Sequence, residues 1–457
     1  MKKISIVCSL ALSLGALCAS AATVSAVSVN QGSDLGVTVS YTIDGPAVVT
    51  MDVKTNTTVS LGAALSRLTG DVNRRIPAAG TYQIRWQPEG PVDVAALKFE
   101  VVAWPLDDPP DYMVLDLNTN TTDRIRYYPS AGQLPGGLLE NKDYRTTRLV
   151  MRKIPAKGIT WMMGATTNEA QSIVAEEGAH TVTFSANYYM SVFELTQRQW
   201  ECVAGQYRSW PSYFSNKDVR DMRPLENVCY NEVRTYAIVN STAQEVSGSS
   251  ATVDSQYLYP GAPHPSSFLG RLRTFFGGEI AFDLPSEAQW EWACRGGYGR
   301  TFWNDGSSII SIDHDTNLDR LARYKWTTAS NADQYDGIDV TTCGEDDGTA
   351  IVGSYEPNGF GLYDMHGNVA EYCLDFKTSD ISALNGAPNA NGTQLASNPG
   401  TPGGMRVVRG GFWAYPAHPA RSGRRLAEWP NVRRGKSGTS PSPAAYGIRL
   451  CCPASLQ

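Results

Sequence analysis

Apolar positions follow three regimes along the chain. From Ile4 to Leu17 they run almost without interruption behind Met1-Lys-Lys3, then give way to Cys18-Ala-Ser-Ala-Ala22. A basic start, a short apolar centre and small residues at the end predict a cleavable signal peptide over residues 1–22, so the mature protein is expected to be periplasmic or secreted. From 23 to 105 apolar residues alternate with small or polar ones, as in Val24, Val27, Val29 and again in Val37, Val39, Tyr41. Turn clusters at Gln31-Gly-Ser-Asp34, Asp44-Gly-Pro46 and Pro77-Ala-Ala-Gly80 separate the runs. Period two with regular turns predicts a small antiparallel sandwich, immunoglobulin-like in the broad sense. It holds no histidine, cysteine or acid cluster, which fits a spacer or adhesion role.

The third regime begins beyond the Pro- and Asp-rich stretch 105–111. Residues 106–146 read as a linker carrying two short strands, at 112–117 and 124–128. A strand at 147–154 opens a second domain extending to 457. Thr196 with Gln199 forms a capping box that predicts a helix from Gln197 to a stop at Gly205. Phe268, Leu269, Leu272, Phe275 and Phe276 recur at helical spacing. A second capping box, Ser286 with Gln289, starts a helix that Gly296 ends, with Trp290, Ala293 and Cys294 on its core face.

Composition changes the picture in two places. The net charge of −6 gives no reason to expect nucleic acid as a partner. Of nine cysteines, Cys8 and Cys18 fall in the signal peptide and the other seven follow residue 200. An odd count leaves at least one unpaired even if export allows disulfides. No apolar run after the signal peptide is long enough to span a bilayer.

The densest chemistry lies in Asn358-Gly-Phe-Gly-Leu-Tyr-Asp-Met-His-Gly-Asn-Val-Ala-Glu-Tyr-Cys-Leu-Asp375. Its glycines allow tight turns with exposed carbonyls. Asp364 and Glu371 bracket Gly367 and Val369, a pattern open to two readings. One is an oxygen cage for Ca2+; the other is a pair of acids hydrogen-bonded to the backbone N–H groups of a loop-rich core.

The run Gly361-Leu-Tyr-Asp-Met-His-Gly-Asn-Val-Ala-Glu371 resembles the signature of the sulfatase-modifying-factor, or formylglycine-generating enzyme, family. Ile159-Thr-Trp-Met-Met-Gly-Ala165, Phe193-Glu-Leu-Thr-Gln-Arg-Gln-Trp200, Asp283-Leu-Pro-Ser-Glu-Ala-Gln-Trp-Glu-Trp-Ala-Cys-Arg-Gly-Gly297, Arg406-Val-Val-Arg-Gly-Gly-Phe-Trp413 and Tyr446-Gly-Ile-Arg-Leu450 follow in the family's order. The resemblance implies an α+β, C-type-lectin-like fold with little regular secondary structure. It also implies a structural Ca2+ held by Asp364, Gly367, Val369 and Glu371.

Formylglycine-generating enzymes oxidise a sulfatase cysteine with Cu(I) held by two cysteines. Here Tyr415 and Ala420 stand at the positions aligned with that pair, and Phe412 replaces the serine after Gly-Gly. Neither side chain substitutes for a thiolate, so copper is not expected and a sulfatase is doubtful as a partner. The histidine-iron branch of the family does not fit either, because His180, His264, His314, His366 and His418 are widely separated. What the resemblance leaves at this surface is Trp413, Tyr415, His418, Arg421, Arg424, Arg425 and Trp429, aromatics and arginines suited to an anionic peptide or a glycan. The same arginines also suit bridging of loops. Two functions follow as expectations: a binding module that has lost copper oxidation, or a sulfatase-maturation oxidase or other oxidoreductase of the same fold using displaced ligands, for which Cys451 and Cys452, far off in sequence, are the candidates.

Overall fold

The computed structural model describes residues 22–456 apart from 57, 66, 119–122, 166–176, 206–218, 237–254, 300–302, 328–347, 378–403 and 433–445. The expected signal peptide, but for Ala22, and Cys343 lie outside the described residues.

Residues 22–105 form two antiparallel sheets. In the first, β1 (Val24–Gln31), β2 (Val37–Ile43), β7 (Gly80–Trp86) and β5 (Leu68–Gly70) lie side by side in that order. The second is built on β3 (Ala47–Thr55), which pairs with β8 (Leu97–Trp104) over its whole inner length and with β4 (Val59–Ser60) and β6 (Arg74–Ile76) on its other side. Period two decides the packing. Val37, Val39, Tyr41 and Ile43 are buried while the residues between them are not, and they join Val49, Met51 and Val53 of β3 in one core. β3 is buried on both faces. Its Val48 packs into the second domain's core with Met113, Leu115 and Tyr127, and Thr50 Oγ1 accepts the Trp104 indole N–H at 2.8 Å.

The segment 106–146, read as a linker with two short strands, carries both of them, and they belong to the second domain's sheet. Its strands β9 (Tyr112–Asp116) and β10 (Ile125–Tyr128) extend β11 (Arg148–Ile154), β14 (Tyr188–Ser191) and β21 (Cys451–Pro453) into a five-stranded antiparallel sheet ordered β10-β9-β11-β14-β21. The residues explain why. Tyr112, Met113, Val114 and Leu115 are all buried, more consecutive apolar surface than a solvated tether exposes.

The rest is short pieces. β12 (Thr160–Met163) pairs with β13 (His180–Thr183), and β15 (Ala322–Arg323) with β16 (His366–Gly367). A four-stranded sheet runs β19 (Leu426–Glu428), β18 (Arg406–Arg409), β17 (Ala370–Phe376), β20 (Tyr446–Gly447). The three α-helices described are α1 (Gln197–Ala204), α2 (Phe268–Phe275) and α3 (Glu287–Arg295). Both capping boxes form, and Gly296 closes α3 in the left-handed region at φ +59°. Trp200 of α1 stacks on Phe268 of α2 with centroids 4.4 Å apart, and Trp290, Ala293 and Cys294 are fully buried. Mostly strands and few helices make the chain α+β. No helix among the described residues is long and apolar enough to cross a membrane.

Candidate functional site

Loop 358–375 is tied down at every turn. Asn358 Nδ2 donates to the carbonyls of Ala293 and Cys294 at the end of α3, at 2.7 and 3.1 Å. Its Oδ1 accepts from the backbones of Phe360 and Leu362. At Gly367, φ is +72° and a Cβ would lie 2.1 Å from the Arg323 carbonyl oxygen, so only glycine fits. His366 is buried, with Nδ1 2.7 Å from the Ala420 carbonyl and Nε2 accepting from Asn304 N. Burial pulls its pKa down to about 4, leaving a neutral ring.

The acids of this loop share one buried group of charges. Glu371 receives the Arg449 guanidinium on both oxygens at 2.8–3.1 Å and the Trp290 indole N–H at 2.6 Å. Glu194, which motif reading passed over, accepts from Asn368 Nδ2 at 2.6 Å and Val369 N at 3.1 Å. Asp364 adopts φ +56°. Its Oδ2 accepts from Gly353 N at 2.6 Å, while its Oδ1 is buried without a hydrogen-bond partner. Three buried carboxylates thus surround one fully buried arginine. Burial, then repulsion from Asp364 and Glu371, drives Glu194 well above the usual carboxylate range. Burial holds Asp364 at about 6 despite its bond from Gly353 and the pull of Arg449.

Tested against calcium, the expected donors divide. The unpartnered Oδ1 of Asp364 fits a hard cation, as does the gathering of three carboxylates about one arginine, whose crowding a cation or a bound proton would relieve. Glu371 fits less well, because Arg449 already occupies both its oxygens. Among the described residues, no three acids, histidines or cysteines are grouped to hold a metal on side chains alone. Any ion here therefore relies on carbonyls, as the expected Gly367 and Val369 would supply.

The second expected set also divides. Trp413 is 2% exposed and Arg421 fully buried. Arg421 and Arg424 both reach Glu177, at 3.1 and 2.6 Å, and Arg425 grips Glu287 at 2.6 and 2.9 Å. Glu287 and Glu291 continue inward to Arg409, and Glu291 to Arg295. Burial alone would raise Glu291, but Arg295 and Arg409 outweigh it and hold it at about 2. The arginines therefore bridge loops, and of this set Trp413 and Arg421 are out of a ligand's reach. Tyr415 remains 39% exposed, with half-buried His418 nearby. Beside it runs a loop that sequence reading did not single out. Lys325 N donates to Tyr415 O, Ala417 N to Asp313 O and His418 N to Ile312 O. That loop presents Ile310 and Ile312, both exposed, and His314 stacked on Trp326.

Residues 147–451 match the model of the sulfatase-modifying factor enzyme 1-like domain. The chain belongs to this family. Among its relatives, the chaperone protein LppX of Paenibacillus barcinonensis is 25% identical over 261 residues, 55% of this chain and 81% of that one. The formylglycine-generating enzyme of Thermomonospora curvata is 32% identical over 131 residues, 28% of this chain and 37% of the enzyme. The solved structure of PvdO from Pseudomonas aeruginosa aligns with 66% of this chain and 94% of its own at 20% identity, with a TM-score of 0.43.

Within this sulfatase-modifying-factor domain, the described cysteines do not gather at the surface of Tyr415. Among the described residues, Cys202, Cys294, Cys373, Cys451 and Cys452 are free thiols; these and Cys229 are buried, apart from the half-buried Cys202. Burial pushes Cys294 up to about 12 and Cys373, Cys451 and Cys452 upward as well. Cys451 and Cys452 are neighbours on β21 and belong to separate cores, one with Tyr188 and Trp290, the other with Tyr189 and Trp200. Adjacent strand residues point to opposite faces, so these two do not converge on one ion.

Proposed function

We propose that this protein is an exported member of the family that binds an extended polypeptide on the surface around Tyr415 and does not oxidise cysteine. The observation that carries the reading is the replacement at the aligned pair: Ala420 is buried, Tyr415 offers a ring instead of a thiolate, and Cys294, Cys373, Cys451 and Cys452 sit in the core with raised pKa values. Thiols held protonated by burial neither bind Cu(I) well nor act as nucleophiles. Tyr415 with Ile310 and Ile312 gives an exposed aromatic and aliphatic surface of the kind that grips peptide side chains. LppX, by its name a chaperone, makes a polypeptide ligand the favoured choice over a glycan. We propose also that Ca2+ on Asp364 neutralises the surplus carboxylate charge beneath the signature loop.

The test has two arms. Copper-loaded protein is incubated with a Cys-x-Pro-x-Arg peptide, oxygen and a thiol reductant, and the peptide is weighed by mass spectrometry; its mass is expected to stay unchanged. Reduced, carboxymethylated α-lactalbumin, a permanently unfolded chain, is expected to bind, several-fold more weakly to Tyr415→Ala and Ile312→Asp. Aldehyde formation would restore the oxidase reading. Binding untouched by both substitutions would remove this surface from it.

A further inference from the structure

A cleft of about 290 Å³ opens between the C-terminal strand β21, the start of α3 and the segment 259–262. That size is at the low end of the ~300–1,000 Å³ usual for small-molecule sites. Its walls are largely apolar, with Tyr188, Tyr259, Leu284 and Leu374 among them, and two charged side chains line it, Asp283 and Arg273. Asp283 is already neutralised. Arg234, fully buried behind it, donates Nε to Oδ1 at 2.9 Å and Nη2 to Oδ2 at 3.0 Å. Arg234 directs other donors at the carbonyls of Gly261, at 2.6 Å, and Tyr257. Two arginines therefore meet one carboxylate, and Arg273 carries the positive charge left over. Its Nε is fixed on the Phe282 carbonyl at 2.7 Å, whereas its Nη2 meets Asp283 only at 3.4 Å. A quarter of its side chain is exposed, at 25%.

A guanidinium held in place, paired only weakly and set in an apolar cleft, suits a carboxylate carried on an apolar body, because its fork offers two parallel N–H donors. We propose that this cleft binds a small organic carboxylate with a body about the size of an aromatic or branched side chain, its anion on Arg273. Two sources carry that chemistry, a free acid and the C-terminus of a polypeptide. No residue of loop 411–424 lines the cleft, so the inference stands apart from the reading of the Tyr415 surface.

Isothermal titration calorimetry on the whole protein tests it, with N-acetyl-phenylalanine and its uncharged amide as probes. The acid is expected to saturate one site and the amide to bind about tenfold more weakly or worse, since only the acid forms charge-assisted bonds. Arg273→Gln should lower affinity for the acid by a similar factor and leave the amide unaffected. Ala281→Trp, at an exposed position on the rim, should block both probes without disturbing the core. A short peptide ending in a free phenylalanine separates the sources: tighter binding than the single residue points to a chain terminus, equal or weaker binding to a free acid. Equal binding of acid and amide, no saturable binding of either, or full binding by the folded Ala281→Trp protein would overturn the proposal.

Discussion

Glu177 holds Arg421 and Arg424 together from a position where none of its own surface is exposed. Removing Arg421 empties a fully buried site and leaves Glu177 only its pair with Arg424, a loss on the order of 3 kcal/mol. Arg421→Ala is therefore expected to lower unfolding stability by that amount in urea titration. A change below about 1 kcal/mol would return Arg421 to the surface role its sequence suggested. The run Arg421-Ser-Gly-Arg-Arg425 reads as ligand-binding because its acids lie far away, Glu177 244 residues from Arg421 and Glu287 138 residues from Arg425. Charge pairing across such distances leaves no local mark. Asp375 supplies a prediction of opposite sign. Burial and then repulsion from Glu287 raise it to about 7, so the folded chain binds a proton there that the unfolded chain releases near pH 4. Its contribution falls as pH rises between those values. Glu287 and Glu291, held low, lose their contribution only below the normal carboxylate range. From pH 5 to pH 7 stability should drop by an amount on the order of a few kcal/mol, and Asp375→Asn should flatten that slope. An equal slope in the variant would place the titrating group elsewhere.

The signature loop shows what a local pattern conveys and what it omits. Its glycines, Asp364 and Glu371 are legible because short-range spacing sets them, as it sets the capping boxes of α1 and α3. Glu194 and Arg449 are not, although they complete the charge group, because the partners that bury them come from distant strands. A lone acid between Phe193 and Leu195, both buried, is the one hint that Glu194 turns inward. The surplus of carboxylates gives the calcium proposal its test. EDTA should lower the melting temperature by several degrees and added Ca2+ should restore it, because binding to the native state alone stabilises it. Asp364→Ala should abolish the response, since its Oδ1 is the open donor. Glu371→Gln should destabilise the protein with or without the chelator, because it breaks the pair with Arg449. A melting curve indifferent to EDTA would leave the proton on Asp364 as the means of relieving the charge.

At the scale of the molecule, the N-terminal sandwich and the family domain meet through β3 and β10. The sandwich has its own core of Val37, Val39, Tyr41, Val49, Met51 and Ile84, while Val48, with Trp104 packed beside it, joins the core of the second domain. Across the junction Tyr127 N donates to Asn73 O at 2.8 Å and Arg126 Nη1 to Val72 O at 2.9 Å. On the far side, Leu456 N donates to Leu106 O at 2.7 Å and Lys153 pairs with Asp108 at 2.8 Å. These last bonds place 106–111 with the family domain, whose sheet needs β9 and β10. Both strands are visible in the sequence as short apolar runs, but not which body they join, because an apolar run reports burial without naming the partner. A protein truncated to start at Pro105 keeps every strand of the five-stranded sheet and loses the cover that Val48 gives Met113 and Tyr127. It should stay soluble and unfold cooperatively, at a melting temperature several degrees below that of the full chain, with near-ultraviolet circular dichroism retained. Starting instead at 147, where the family match begins, removes β9 and β10 and bares Met151 and Leu149 along the edge of β11. That shorter protein should aggregate or lose its near-ultraviolet signal. Should it fold as well as the longer one, β9 and β10 would belong to the sandwich and not to the domain they extend.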